Sequence, residues 1–211
     1  MKKIILATLI AGSTYVSAND FVSGMKLGTL GVGLQTTTKT SDKLDIRLEA
    51  NGFSYSTTST KDDVTYNTKL RLATVGAIAD YHPFNNGFTL SGGVYYNANE
   101  LTLDATPANN VKIGNTTYTP AQLGSLNGKV EFNPISPYLG MGYTNATKYE
   151  KGWSFTTEAG VLFQGKPDVT LSATGTAVTQ ADLQKETSNL EDDLSSLEYY
   201  PVLTVGFTYR F

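Results

Sequence analysis

The residues best suited to chemistry in this sequence are charged side chains that alternate with apolar ones. Asp45, Arg47 and Glu49 alternate with Ile46 and Leu48. The same spacing gives one face of later segments these charged residues: Lys69, Arg71, Lys129, Glu131, Glu158 and Arg210. Residues two apart share a face of a β-strand, so each segment carries its charges on one side. Such a face favours either a network of paired ions or a polar path for a solute.

His82 is the only histidine, so any serine–histidine chemistry depends on it. It opens the segment His82-Pro83-Phe84-Asn85-Asn86-Gly87, whose composition predicts a tight turn. We therefore expect a structural histidine and no enzyme activity. The chain has no cysteine, which excludes a thiolate metal site and a cysteine nucleophile, and we predict no catalytic, cofactor or metal site.

The first 18 residues predict export. Met1-Lys2-Lys3 is positive, the segment 4–10 is apolar, and Val16-Ser17-Ala18 has the small residues of a cleavage site. The apolar run is shorter than the roughly 20 residues of a spanning helix, which disfavours a membrane anchor. The mature chain 19–211 is then a single domain with 14 basic and 19 acidic residues. This acidic balance argues against nucleic acid as a partner.

Period-two alternation predicts seven strands, and the last is the clearest. Leu203, Val205, Phe207, Tyr209 and Phe211 share a face that lipid would accept and water would not. The seven strands lie near residues 26–38, 43–55, 66–81, 87–100, 128–144, 153–163 and 203–211.

The connections between these strands favour a transmembrane barrel over a soluble sandwich. They alternate short and long, near residues 39–42, 57–64, 82–87, 105–127, 145–151 and 165–198. Outer-membrane barrels have short periplasmic turns, long external loops and an even number of strands. We therefore predict an all-β fold, a closed antiparallel barrel of eight strands, with the missing strand at Asn19–Met25 or Asp168–Ala173.

Several stretches of the mature chain carry a resemblance to known proteins. They are Asn51-Gly52-Phe53-Ser54-Tyr55, Tyr81-His82-Pro83-Phe84, Leu90-Ser91-Gly92-Gly93, Ser136-Pro137-Tyr138-Leu139-Gly140, Gly160-Val161-Leu162-Phe163-Gln164-Gly165 and Tyr199-Tyr200-Pro201-Val202. The chain resembles the small outer-membrane β-barrel proteins of OmpA, OmpX and OmpW architecture, and more narrowly a group of proteobacterial outer-membrane proteins with no assigned activity. The terminal Phe207, Tyr209 and Phe211 resemble the signal by which the barrel-assembly machinery inserts such proteins. The resemblance implies fold and location.

Within an eight-stranded barrel, the alternating charges fall on the lumen side. The interior of such a barrel is filled by side chains, so charges there must be paired and hydrogen-bonded. We predict a structural lumen network of Asp45, Arg47, Glu49, Lys69, Arg71, Lys129, Glu131, Glu158 and Arg210, centred on Arg47, Arg71, Glu49 and Glu158. A selective polar pore is the alternative.

The loop 165–198 contains one predicted amphipathic helix, over 179–197. Thr179 and Asp182 form a capping pattern, and Leu183, Leu190, Leu194 and Leu197 fall near one face. Its acidic residues are Asp182, Glu186, Glu191, Asp192, Asp193 and Glu198. Either the leucines pack on the barrel mouth while the acids face water, or the helix docks a partner or binds lipopolysaccharide phosphates through divalent cations.

We therefore expect a non-enzymatic outer-membrane protein that maintains the envelope and presents interaction loops outside, with its C-terminus in the periplasm. Its expected partners are outer-membrane lipids and lipopolysaccharide, and the barrel-assembly machinery during insertion. The alternatives are a narrow channel for small or hydrophobic solutes and a lipid-modifying enzyme.

Overall fold

A computed structural model of the chain describes residues 21–61, 64–84, 86–144 and 151–210. The predicted signal peptide and Phe211 lie outside these residues. The strands are β1 Phe21–Gly28, β2 Gly31–Ser41, β3 Leu44–Lys61, β4 Val64–Tyr81, β5 Phe88–Asn97, β6 Glu100–Pro107, β7 Val111–Ile113, β8 Thr116–Tyr118, β9 Leu126–Glu131, β10 Ile135–Thr144, β11 Gly152–Phe163, β12 Asp168–Ala173 and β13 Tyr199–Arg210. The α-helices are α1 Pro120–Leu123 and α2 Gln180–Asp193, and a 3-10 turn follows at Ser195–Glu198. Neither helix is long and apolar enough to span a membrane in the described part of the chain.

Eight of these strands close into an antiparallel barrel in the order β1, β2, β3, β4, β5, β10, β11, β13. The last strand pairs with the first, with Phe207 opposite Met25, so no edge remains around the ring. The predicted fold class is confirmed. The missing strand is β1, at the first of the two predicted places, whereas Asp168–Ala173 is a strand that lies outside the barrel.

Strand β1 was not predicted because the turn that follows it continues the alternation of polar and apolar residues that is typical of a strand. The predicted strand 26–38 is the end of β1 and most of β2, joined by a turn at Thr29 and Leu30. Gly31 has a φ of 99°, a conformation that favours glycine, and it lets the chain reverse there. Leu30 fits the apolar alternation but points into the barrel interior, where it is 1% exposed.

Polarity along the barrel strands is inverted relative to a soluble protein. Outward-facing Leu34, Leu139, Leu203, Val205 and Phe207 are each between 51% and 62% exposed. The inward positions of the same strands hold polar and charged groups that are buried, including Arg47, Glu49, Asp80 and Glu158. Lipid accepts an apolar exterior, and a side-chain-filled lumen accepts paired polar groups.

Five strand segments rise beyond one end of the barrel as an upper sheet. We use this name for residues 53–61 of β3, residues 64–72 of β4, and strands β6, β9 and β12, which pair in that order. Two expectations are thereby corrected. Residues 57–64 form the tip of a hairpin of two 18-residue strands, with residues 62 and 63 outside the described part, and the strand predicted at 128–144 is divided into β9 and β10.

Helix α2 and the hairpin β7–β8 cover part of the inner face of the upper sheet. Ile113, Tyr118, Leu123 and Leu183 form a second buried core there, with Leu126 and Leu171 of the sheet packed against it. Leu183 therefore packs on this hairpin and α1. This differs from the prediction that the helix rests its leucines on the barrel mouth.

Candidate functional site: a charged cluster in the barrel lumen

Arg47 of β3 is the centre of a buried ionic cluster. Its Nε donates to Asp80 Oδ2 at 2.9 Å, and its Nη2 donates to Asp80 Oδ1 at 3.1 Å. Its Nη1 donates to Glu49 Oε2 at 2.7 Å and to Glu158 Oε2 at 2.8 Å, and Nη2 also donates to Glu158 Oε1 at 2.7 Å. A guanidinium group has five N–H donors, so three carboxylates satisfy all of them.

The carboxylates receive further donors from around the ring. Tyr95 O–H donates to Glu49 Oε1, and Lys26 Nζ forms an ion pair with the same oxygen. Tyr138 O–H donates to Glu158 Oε1 at 2.6 Å. Ser91 Oγ donates to Asp80 Oδ1 at 2.6 Å. Six of the eight barrel strands, β1, β3, β4, β5, β10 and β11, therefore contribute at least one side chain to the cluster or to its hydrogen bonds, and the cluster links them.

Inward-facing glycines make room for the two tyrosines. A Cβ on Gly76 would lie 2.5 Å from Cε1 of Tyr95, and a Cβ on Gly140 or Gly160 would overlap the hydroxyl end of Tyr138. The two rings meet edge to face with their centroids 5.5 Å apart. The absence of side chains at these glycines therefore leaves space for the two tyrosine rings, whose hydroxyl groups reach the carboxylates.

An apolar layer closes the lumen on the side of the upper sheet. Leu30, Ile78, Leu162 and Val202 pack with both tyrosine rings, and each of these residues is at most 2% exposed. Above this layer Gln164 is 1% exposed, and its Nε2 donates to the carbonyl of Leu197 in the 3-10 turn at 2.8 Å. The loop before β13 is thus bonded across the mouth.

On the opposite side of the cluster, a small polar cavity faces the short turns. Its volume is about 30 Å³, room for about two water molecules. Thr37, Thr89, Ser91 and Thr156 line it beside Arg47. The cavity ends at the charged cluster, so in this structure it is blind.

His82 is buried at the short-turn end and is 2% exposed. Its Nε2 lies 2.9 Å from Asp45 Oδ2, and its Nδ1 lies 3.2 Å from the carbonyl oxygen of Asn86. These contacts tie the turn after β4 to the start of β3. Both ring nitrogens are engaged by neighbouring groups.

The predicted network is brought together only in part. Arg47, Glu49 and Glu158 meet, while Asp45 pairs with His82. Arg210 lies half-buried near the end of β13. The sequence did not predict four members of the cluster: Tyr95, Tyr138, Lys26 and Asp80. Lys26 was overlooked because β1 was not recognised, and Asp80 because the end of β4 is apolar on both faces in sequence.

Lys69, Arg71, Glu131 and Lys129 do not belong to the cluster, which corrects the prediction for them. In β4 the even-numbered residues from Thr74 to Asp80 point inward, and the unbroken pairing with β3 carries this parity upward. Lys69 and Arg71 are therefore on the outer face of the upper sheet, and both are exposed. Lys129 pairs with Glu131 at 2.8 Å and with Glu100 at 3.4 Å, also on the upper sheet.

The acidic helix α2 uses part of its charge to hold the hairpin β7–β8. Asp182 is 9% exposed and accepts from Tyr118 O–H at 2.7 Å, from Thr179 Oγ1 at 2.8 Å and from the backbone N–H of Asn115 at 3.1 Å. These donors, the Tyr118 hydroxyl above all, lower the pKa of Asp182 to about 2. Glu186 accepts from the backbone N–H of Gly114 at 3.0 Å. Among the described residues, no group of three or more histidine, aspartate or glutamate side chains is arranged to hold a metal ion.

Comparison with known proteins identifies the fold. No protein-family model matches the sequence, and no curated protein is significantly similar to it. The crystal structure of CarO2 from Acinetobacter baumannii superposes with a TM-score of 0.61 at 20% identity, covering 90% of this chain and 98% of that one. The structure of CarO from the same organism gives 0.60 at 23% identity, covering 90% and 97%. Both are outer-membrane barrels of eight strands, so this chain shares their fold.

Proposed function

We propose that this chain is an outer-membrane protein whose sealed barrel stabilises the envelope and presents the upper sheet outside the cell. The observation that carries this proposal is the combination of an apolar exterior with a lumen filled by the Arg47 cluster. An exterior with Leu203, Val205 and Phe207 exposed on one strand suits hydrocarbon. The lumen is blocked by Arg47 and the three carboxylates that accept its five hydrogen bonds, which favours a structural protein over a pore.

The direction of insertion follows from loop length. Outer-membrane barrels keep short turns in the periplasm and long loops outside. The turn at residues 42 and 43 and the turn after Tyr81 are at the end where β1 begins and β13 ends. We therefore propose that β1 begins and β13 ends on the periplasmic side, and that the upper sheet, α2 and the β7–β8 hairpin lie outside. Protease treatment of intact cells tests this, because cleavage between 174 and 198 is expected while the C-terminal strand stays protected.

Electrical conductance in a planar bilayer tests the sealed lumen. We expect the purified protein to give no steady single-channel current, because the apolar layer and the Arg47 cluster occupy the lumen together. Replacing Tyr95 and Tyr138 together by alanine removes the two largest fully buried side chains of the lumen, and this variant is expected to conduct. A steady current through the unaltered protein would contradict a supporting role.

A narrow channel is the second candidate, and the blind polar cavity favours it. The cavity lies on the short-turn side of the cluster and is lined by Arg47 and Glu158, so only the cluster and the apolar layer would have to move for a solute to pass. The same bilayer recording decides between the two candidates. We propose no catalytic role, because both ring nitrogens of His82 are occupied by Asp45 and the Asn86 carbonyl.

A further inference from the structure

The two edges of the upper sheet differ in how they are protected. An unpaired strand edge presents free N–H and C=O groups and invites another strand, so proteins normally guard such edges. At one edge, β12 follows Pro167, packs against α2, and has the N–H of Val169 donating to Glu191 Oε1 at 3.3 Å. This edge is covered.

The other edge, residues 53–60 of β3, has no comparable protection. Strand β2 pairs with β3 only as far as Val32 opposite Gly52, whereas β4 continues alongside β3 to Lys61. The segment reads Phe-Ser-Tyr-Ser-Thr-Thr-Ser-Thr, without proline or charge, and its pairing with β4 has no bulge. All eight residues are exposed. A regular, uncharged strand edge of this length is a template for adding a strand.

The side chains beside this edge determine which residues an added strand would have on each of its faces. On the inner face, Phe53 and Tyr55 are 47% and 56% exposed, so that side favours apolar residues. On the outer face, small Ser54 and Ser56 are opposite Arg71 and Lys69 of β4.

The long basic side chains can reach over these serines toward the edge. Neither Lys69 nor Arg71 has a carboxylate within ion-pair distance among the described residues. Their charge therefore favours acidic residues on the outer face of an added strand.

We infer that residues 53–60 of β3 bind an extended segment of a partner protein by strand addition, and that this segment alternates apolar and acidic residues. The inference deepens the proposed function, because it rests on the upper sheet facing outward and names what the sheet binds. A second copy in the same membrane does not fit. A two-fold axis along the membrane normal would set identical residues level on parallel strands, whereas bonded parallel strands are offset by one residue.

Binding of a synthetic octapeptide that alternates valine and glutamate tests the inference on the full-length protein in detergent. We expect fluorescence anisotropy to show at least about tenfold tighter binding than for a peptide alternating valine and lysine. The K69E/R71E double variant should lose this preference. K129E should keep it, because Lys129 is on the same face but two strands farther from the edge. Heat-modifiable migration in gels confirms that each variant is folded.

Two N-methylated forms of the peptide provide the decisive control. The N–H groups of alternate residues point to opposite sides of a strand, so methylating one set should abolish binding and methylating the other should not. Amide exchange should slow within 53–60 and stay unchanged within 168–173. Equal binding of both methylated peptides, absence of protection in 53–60, or protection at 168–173 would each overturn the inference. Bilayer conductance does not depend on this edge, so a failure here is distinct from a failure of the sealed-barrel proposal.

Discussion

At the scale of residues, the lumen depends on complete pairing around one guanidinium group. Arg47 is 6% exposed, and its five donors are all taken by Asp80, Glu49 and Glu158. A buried charge without partners is strongly unfavourable, and the cost falls on whichever groups remain when one partner is removed. Without Arg47, three carboxylates would remain close together in the lumen and would repel each other.

Replacing Arg47 with alanine is expected to destabilise the barrel by about 3–5 kcal/mol, the range for breaking a buried ion pair from one side. Urea-driven unfolding in lipid vesicles measures this difference. Arg71→Ala is the matched control, since Arg71 is exposed on the upper sheet, and it should change stability by less than about 0.5 kcal/mol. Equal stability of the two variants would show that the cluster does not support the fold.

The glycine that faces Tyr95 gives a second prediction at this scale. Gly76→Ala places a Cβ against the Tyr95 ring and should cost about 1–3 kcal/mol, as overpacking does. Combining it with Tyr95→Leu should recover part of this loss, because the ring that meets the new methyl group is gone. Gly92→Ala is the control, since its nearest neighbour is an ordinary 3.6 Å away. Strictly additive effects of the two changes in urea unfolding would argue against the contact.

At this scale, a residue could be placed from the sequence where odd and even positions of its strand lie on known faces. Arg47, Glu49 and Glu158 were placed correctly because their strands are amphipathic from end to end within the barrel. Lys69 and Arg71 were misplaced because Leu70 and Leu72 resemble lipid-facing residues, whereas they belong to the inner face of the upper sheet. Alternation fixes which residues share a face, but it does not say which face is the inner one once a strand rises above the barrel.

At the scale of elements, the long loops have defined structure of their own. The segment predicted as loop 105–127 contains β7, β8 and α1, and its hairpin is held by the first turns of α2. The capping pattern at Thr179 correctly located the helix, whose N-cap hydroxyl accepts from the N–H of Asp182. Its docking surface could not be predicted, because Tyr118 and Gly114 are more than 60 residues away in sequence.

The anchor at Asp182 gives a prediction about pH. Its pKa in the folded protein is about 2, below the ordinary value of about 3.9 in an unfolded chain. The contacts of Asp182 therefore contribute fully above about pH 4 and are lost as the pH falls toward 2. Amide exchange of the β7–β8 turn, corrected for intrinsic rates, should remain slow at pH 4 and accelerate by pH 2.

Two variants make the pH experiment specific. Asp182→Asn removes the titrating group, so its turn should be less protected at pH 5 and should show no such acceleration between pH 4 and 2. Asp193→Asn changes an exposed acid of the same helix and should match the unaltered protein. If the Asp193 variant instead abolished the transition, the anchor would lie elsewhere on the helix.

At the scale of the whole molecule, the barrel and the upper sheet are one continuous set of strands with two environments. The barrel was predictable because its exterior and its lumen require opposite polarities at alternate residues. The upper sheet was not, because above the barrel both faces meet water or the small second core, and alternation no longer separates them. The missing eighth strand was a local failure at the Thr29-Leu30 turn and did not affect the predicted ring.

The chain contains no cysteine, so a single spin label can be placed at any position without further changes. Labels at positions 203, 205 and 207, in the protein reconstituted in lipid bilayers, should be accessible to oxygen dissolved in the hydrocarbon and shielded from a water-soluble nickel reagent. Labels at 204 and 208 should be shielded from both, since these residues face the filled lumen. This alternation along β13 is what a lipid-facing exterior predicts. Labels at 205 and 207 that are inaccessible to oxygen, in a protein that stays folded without detergent, would contradict it.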